Sequence, residues 1–214
     1  MGQLILVRHG KTALNAHDDA ERLRGWMEVP LDSQGLMEAQ ITSLRISAHP
    51  VEQIFSSDLY RAKQTADAVA QATGAPLVHT SDLRPWNVGS LAGQRVQDIL
   101  PTLLALEEDV TKCAPDGESF LQFYERYARK LTELLELASR STKCIVAVTH
   151  VRNLLATPTI LHGGDMTKIP VRGGPPTSSL VWVEKNGKGW KLRLEEGPDP
   201  VSVDGVVDES RGVF

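Results

Sequence analysis

Four apolar residues in unbroken succession, Leu4-Ile5-Leu6-Val7, stand directly before Arg8, His9 and Gly10. A strand with one wet face alternates apolar and polar side chains; this run has no polar face and must be covered on both sides. Cys144–Val148 is a second such run, and it too ends at once in polar residues, Thr149-His150-Val151-Arg152. Further strand candidates are Gln53–Ser56, Pro76–Val78, Ser179–Glu184 and Trp190–Leu194, so the sheet candidates alternate with helical patterns.

The helices are marked by caps and periodicity. Asp32 can cap a helix to about Ser47, and Ser57 or Asp58 another through about Ala72, closed by Gly74. Gln94–Val110 has a helical pattern that Pro101 is expected to break. In Glu118–Ala138, Phe120, Phe123, Tyr124, Tyr127, Leu131, Leu134 and Leu135 follow the spacing of one buried face. "EKNGKG" between the last two strands is a hairpin signal. The alternation predicts an α/β sandwich with helices on both faces of a mostly parallel central sheet and an antiparallel part near the end. Residues 1–196 read as one domain. The Gly-, Pro- and Asp-rich stretch 197–214 reads as a loosely ordered C-terminal extension.

Composition narrows the function classes. A net charge of −4 gives no sign of nucleic-acid binding, and no run approaches the ~18 apolar residues of a membrane helix. No signal-peptide pattern opens the sequence, and the two cysteines, Cys113 and Cys144, are poor material for a disulfide scaffold. A reducing, cytoplasmic setting is therefore expected, with no membrane or nucleic-acid partner; the oligomeric state is open.

Ligands in such sheets bind beyond the carboxyl ends of the strands. There the chain places Arg8-His9-Gly10, Arg61 in the first turn after the second strand, and His150 with Arg152. Arginine forks and helix N-terminal amides suit a phosphoryl group, and a histidine among them can attack phosphorus through its neutral nitrogen. Taken singly, His9 is as well explained as a hydrogen-bonded structural residue and Arg61 as a helix-surface residue. The combination points to a site.

Six blocks, "LVRHGKTALN", "RLRGWMEVPLDSQGLMEAQ", "FSSDLYRAKQTA", "LRPWNVGSLAG", "PDGESF" and "VTHVRNLL", resemble the histidine phosphatase family (the phosphoglycerate mutase-like superfamily) in its order, over about Gln3 to Leu155. The resemblance implies a three-layer α/β fold in which His9 is phosphorylated and Arg8, Arg61 and His150 hold the phosphoryl group. It places Gly10, Thr12, Asn15, Arg24, Gly25 and Val151 at the phosphate or the substrate, and implies no metal and no cofactor. Four positions depart from the pattern. Lys11 replaces an acidic or amide residue, Arg24 a Gln, Val151 a Gly, and Pro85 the Glu that the resemblance makes the general acid. Asp82 and Glu118 are the candidates to replace it, although Asp82 reads first as a solvated loop carboxylate and Glu118 as the cap of a helix. Lys11, Arg24, Arg84 and Arg152 either add positive charge for a second anionic group on the substrate or pair with nearby carboxylates. The expected function is metal-independent hydrolysis of a small phosphorylated molecule through phospho-His9. The alternatives are an anion-binding pseudoenzyme and, last, a phosphoglycerate mutase.

Overall fold

The computed structural model describes residues 2–15, 21–170, 172–187 and 189–197. The opening run becomes β1 (Leu4–Arg8), with all five residues buried. After it come α1 (Ser33–Ser47), β2 (Val51–Ser57), α2 (Tyr60–Thr73), β3 (Leu77–Thr80), α3 (Val96–Glu108), α4 (Phe120–Arg140), β4 (Cys144–Thr149), α5 (Val151–His162), β5 (Leu180–Asn186) and β6 (Gly189–Glu195). One sheet has the order β3-β2-β4-β1-β5-β6. Its first four strands are parallel, and β5 and β6 join antiparallel through a hairpin closing at Asn186 and Gly189.

Alternation along β1 divides the interior into two cores. Leu4 and Leu6 face a large cluster containing Leu103 of α3, Phe123 and Leu131 of α4 and Leu154 of α5. Ile5 and Val7 face Ile46 of α1 and Ala62, Ala66 and Val69 of α2. The sheet is thus the middle of three layers, as expected. Full burial of a Leu or Ile side chain contributes roughly 1.5–3 kcal/mol, so a central strand apolar on both faces anchors both cores. Cys144 and Cys113 are free thiols, Cys144 buried on β4. Among the described residues no helix is long and apolar enough to cross a membrane.

Three local expectations need correction. Pro101 does not end its helix: α3 runs through it. Pro101 and Gln97, the residue whose carbonyl loses its partner, are both exposed, so water can serve that carbonyl. The buried face of Val96, Ile99, Leu103 and Leu106 holds the helix together. The long helix begins after Ser119, not at Glu118; Ser119 and Gln122 form a reciprocal capping box. Asp58 does not cap α2, whose N-cap is Leu59 without a side-chain bond, because its carboxylate is taken by Arg84 at 2.6 and 2.7 Å. The expected extension lies, from residue 198 onward, outside the described residues.

Candidate active site

The carboxyl ends of β1, β2 and β4 meet at one edge of the parallel sheet, and the polar residues following the apolar runs meet with them. His9 and His150 are each 2% exposed, with ring centroids 5.1 Å apart in an edge-to-face arrangement. The backbone N–H of His9 donates to Thr149 O at 3.0 Å, which ties the end of β1 to the residue before His150.

Two contacts set the chemistry of His9. Its Nδ1 lies 2.7 Å from Gly10 O. A carbonyl only accepts, so Nδ1 carries the proton and the neutral ring keeps its lone pair on Nε2. Gly10 N–H in turn donates to Thr65 Oγ1 at 3.1 Å. A side chain at Gly10 would meet Gly35 O of α1 at 2.5 Å, so this close backbone approach requires glycine. Burial, then the charges of Arg61, Arg8 and Arg24, hold His9 well below the usual histidine range. His150 is lowered in the same way, first by burial and then by Arg61. Both rings are neutral near pH 7, the state a nitrogen nucleophile needs.

The cations are held by carbonyls, leaving particular donors over. Arg61 is 1% exposed; its Nη1 donates to Met27 O at 2.8 Å and its Nη2 to Gly25 O at 2.9 Å. Gly25 presents that carbonyl with φ at +45°. Arg8 Nη1 donates to Pro175 O at 2.5 Å. The Nε atoms of Arg8 and Arg61 and the Nδ1 of His150 are buried without a protein partner. His150 uses its other nitrogen, Nε2, on Ser57 Oγ at 2.9 Å. Burial, and then repulsion from Arg24, bring Arg8 and Arg61 down to about 9, which still leaves both charged at neutral pH. Buried like charges with unused donors are a standing demand for an anion.

The sequence-predicted residues divide into three groups. His9, Arg61, His150, Arg24, Gly25 and Val151 line one cavity. Arg8 and Gly10 adjoin it through His9. Thr12 and Asn15 are buried and bonded to each other, with Asn15 Oδ1 accepting from Thr12 N at 3.0 Å and from Thr12 Oγ1 at 2.8 Å. The two carboxylates that are candidates to replace the acid are not brought to the cavity. Glu118 accepts from Arg126 Nη2 at 2.7 Å and from Asn87 N at 2.9 Å. It is the counter-ion of an arginine that binds the carbonyls of Ser81, Asp82, Arg84 and Pro85. Asp82 turns to Thr80 Oγ1 at 3.3 Å. Pro85 itself is in the cavity wall.

Most of the extra cations are paired. Lys11 donates to Gln34 at 2.7 Å, Arg84 to Asp58, and Arg152 to Glu107 and to Pro170 O. Arg24 donates to Leu14 O at 2.9 Å and lies 3.7 Å from Glu21. Sequence reasoning missed Glu21 as a cavity residue, along with the apolar wall of Leu23, Trp86, Val88, Val96, Leu103 and Leu155. The wall comes from three separate segments, and only pairings such as Leu23 N to Gln94 O (3.0 Å) and Val96 N to Glu21 O (2.9 Å) bring the first two together. No local pattern signals them.

A mixed sheet between helical layers thus carries paired histidines and arginines at its carboxyl edge, an arrangement that can hold an anion. The model of the histidine phosphatase superfamily (branch 1) matches residues 4–196, and the chain belongs to that superfamily. A Yersinia pestis (strain Pestoides F) protein named "Probable phosphoglycerate mutase GpmB" is 32% identical over 152 residues, 69% of each chain. Among solved structures, a mycobacterial glucosyl-3-phosphoglycerate phosphatase in complex with VO3 superposes with a TM-score of 0.76 at 24% identity, over 92% of this chain and 100% of that one. A phosphoserine phosphatase mutant from Entamoeba histolytica in complex with phosphoserine gives 0.74 at 21% identity, over 90% and 95%. These two are likenesses of fold.

Proposed function

We propose that the protein is a metal-independent phosphatase that hydrolyses a small phosphorylated molecule through a phosphohistidine at His9. The observation that carries this reading is the pair of buried donors without a partner among the described residues, Arg8 Nε and Arg61 Nε, together with the unpartnered Nδ1 of His150, beside a histidine whose lone pair is fixed on Nε2. A phosphomonoester dianion occupies those donors and neutralises the clustered guanidinium groups. The same donors stabilise the charge on the equatorial oxygens as the phosphoryl group transfers. The lone pair on Nε2 forms the N–P bond while the ester P–O bond breaks, and the electron pair leaves on the ester oxygen. Water then attacks phosphorus, the P–N bond breaks, and its electron pair returns to Nε2 as inorganic phosphate departs. Two arginines supply the charge that a metal clamp supplies elsewhere.

The mutase reading is favoured by the name of the 32% identical relative. The two differ in outcome: a mutase returns the phosphoryl group to an organic acceptor, a phosphatase gives it to water. Pro85 in the cavity wall favours the pseudoenzyme reading. The deciding measurement is a panel of phosphate esters incubated with the protein in excess chelator, scored for acid-labile phosphohistidine and for free phosphate. Phosphohistidine on the native protein, none on His9→Ala, and stoichiometric phosphate release are expected. Native-rate turnover by His9→Ala would remove the nucleophile. Activity lost in chelator and restored by Mg²⁺ or Zn²⁺ would remove the metal-free mechanism.

A further inference from the structure

We infer that the substrate is an aryl phosphate whose departing group is a compact phenol, and not an ester of a sugar or glycerol. The inference rests on the phosphatase reading above and concerns the part of the same cavity beyond the phosphoryl group.

The first support is what the wall contains and what it lacks. Leu23, Trp86, Val88, Val96, Leu103 and Leu155 line the cavity together with Pro85. Among the described lining residues there is no Ser, Thr, Tyr, Asn or Gln, the side chains that recognise hydroxyl groups in both donor and acceptor senses. The indole N–H of Trp86 is already given to Glu118 O at 2.9 Å. The polar lining outside the histidines and Arg61 is all charged, Glu21, Arg24, Arg152 and Arg172, so a hydroxyl turned to the six apolar residues would lose its partner there, whereas an aromatic ring would displace water from apolar carbon.

The second support is the chemistry of departure. Pro85 brings no proton donor, and Asp82 and Glu118 are engaged elsewhere. The one carboxylate among the described lining residues is Glu21, which lies 3.7 Å from the Arg24 guanidinium. An alkoxide released into such a site is a strong base, whereas a phenolate, whose acid has a pKa near 10, leaves without help. As His9 Nε2 bonds to phosphorus, the ester electron pair departs as aryloxide and then takes its proton from water.

The third support is negative evidence on the alternative handle. Lys11 and Arg84 do not line the cavity, and Arg152, which does, is bound to Glu107 and Pro170 O. Those three are thus poorly placed to select a second anion, and of the other lining cations Arg24 is given to Leu14 O and stands 3.7 Å from Glu21, while Arg172 is exposed.

The test is rapid-quench measurement of phosphohistidine formation on the full chain with phenyl phosphate, 1-naphthyl phosphate, a series of ring-substituted phenyl phosphates, glycerol phosphate and glucose 6-phosphate. The aryl esters should phosphorylate His9 at least about 10²-fold faster than the alkyl esters, the size of an absent general acid. The rate should rise steeply as the phenol becomes more acidic. Leu155→Gln, at a partly exposed wall position, should reduce the preference for naphthyl over phenyl phosphate. Equal phosphorylation rates for glycerol and phenyl phosphates would overturn the inference while leaving the phosphatase reading intact. So would a Glu21→Gln variant that loses only alkyl-ester activity, because it would reveal a proton donor. Absence of phosphohistidine with every ester would remove the phosphatase reading and this inference with it.

Discussion

Acidification should destabilise the anion-free protein more than surface titration explains, because His9 and His150 are neutral in the fold. Burial is the first cause for both, and Arg61 the next. Their folded pKa values lie well below the unfolded value of 6.5. The unfolded chain therefore binds more protons wherever the pH is below 6.5 but above the folded values. Stability fully present above 6.5 is lost as the pH falls through that window. Each group protonated only in the unfolded state costs on the order of 1 kcal/mol between about pH 7.5 and about pH 5.5, so the pair should cost on the order of 1–3 kcal/mol. Urea unfolding in buffer free of phosphate and sulfate, at both pH values, measures the drop. Other histidines and carboxylates titrate as well, so the readout is the difference between the native protein and a His9→Gln, His150→Gln double variant. The double variant should lose on the order of 1–3 kcal/mol less on acidification. Added sulfate, a tetrahedral dianion, should shrink the native drop by giving a protonated His150 a partner. An identical pH dependence in the two proteins would show that the rings are not held neutral and would refute the electrostatic account of the site.

Arg61→Lys should keep a charge but lose the fork that reaches Met27 O, Gly25 O and the ligand together. Vanadate binding should weaken by about 1.5–3 kcal/mol, roughly 10- to 150-fold, and unchanged affinity in isothermal titration would show that Arg61 does not contact the anion. Gly10→Ala should force β1 and α1 apart at the Gly35 contact, at a cost of about 1–3 kcal/mol in urea unfolding. It should also slow phosphoenzyme formation by disturbing the carbonyl that fixes the His9 tautomer, and a native-rate protein would show that this tautomer contact is dispensable.

The fold was legible where one local cause decided the outcome. Leu4–Val7 has no polar face, Asp32 does accept from Gly35 N as a cap, and "EKNGKG" does hold the last hairpin, closed by the Asn186–Gly189 pair. Expectations failed where a distant partner outweighed a local preference. Asp58 looked like a cap until the Arg84 fork, 26 residues away, claimed its carboxylate. Pro101 looked like a break because periodicity does not say how deeply the opposite face of a helix is buried. The histidines and arginines of the site could be read because they follow strand ends directly. The wall could not, because Leu23, Trp86 and Leu155 share no spacing and meet only after the chain has folded.

The position of β1 has a consequence for how the protein comes apart. It lies between β4 and β5, and its last residue and its neighbour are bonded across both, Arg8 N to Ser179 O and His9 N to Thr149 O, each at 3.0 Å. Edges and termini open locally at little cost, but a strand at the centre of a sheet is released only when both its neighbours are released. Amide exchange at Arg8 and His9 thus reports the cooperative opening of the whole sheet, and the nucleophile has no private unfolding route. Freeing His9 from the sheet is therefore expected to cost as much as opening the sheet itself.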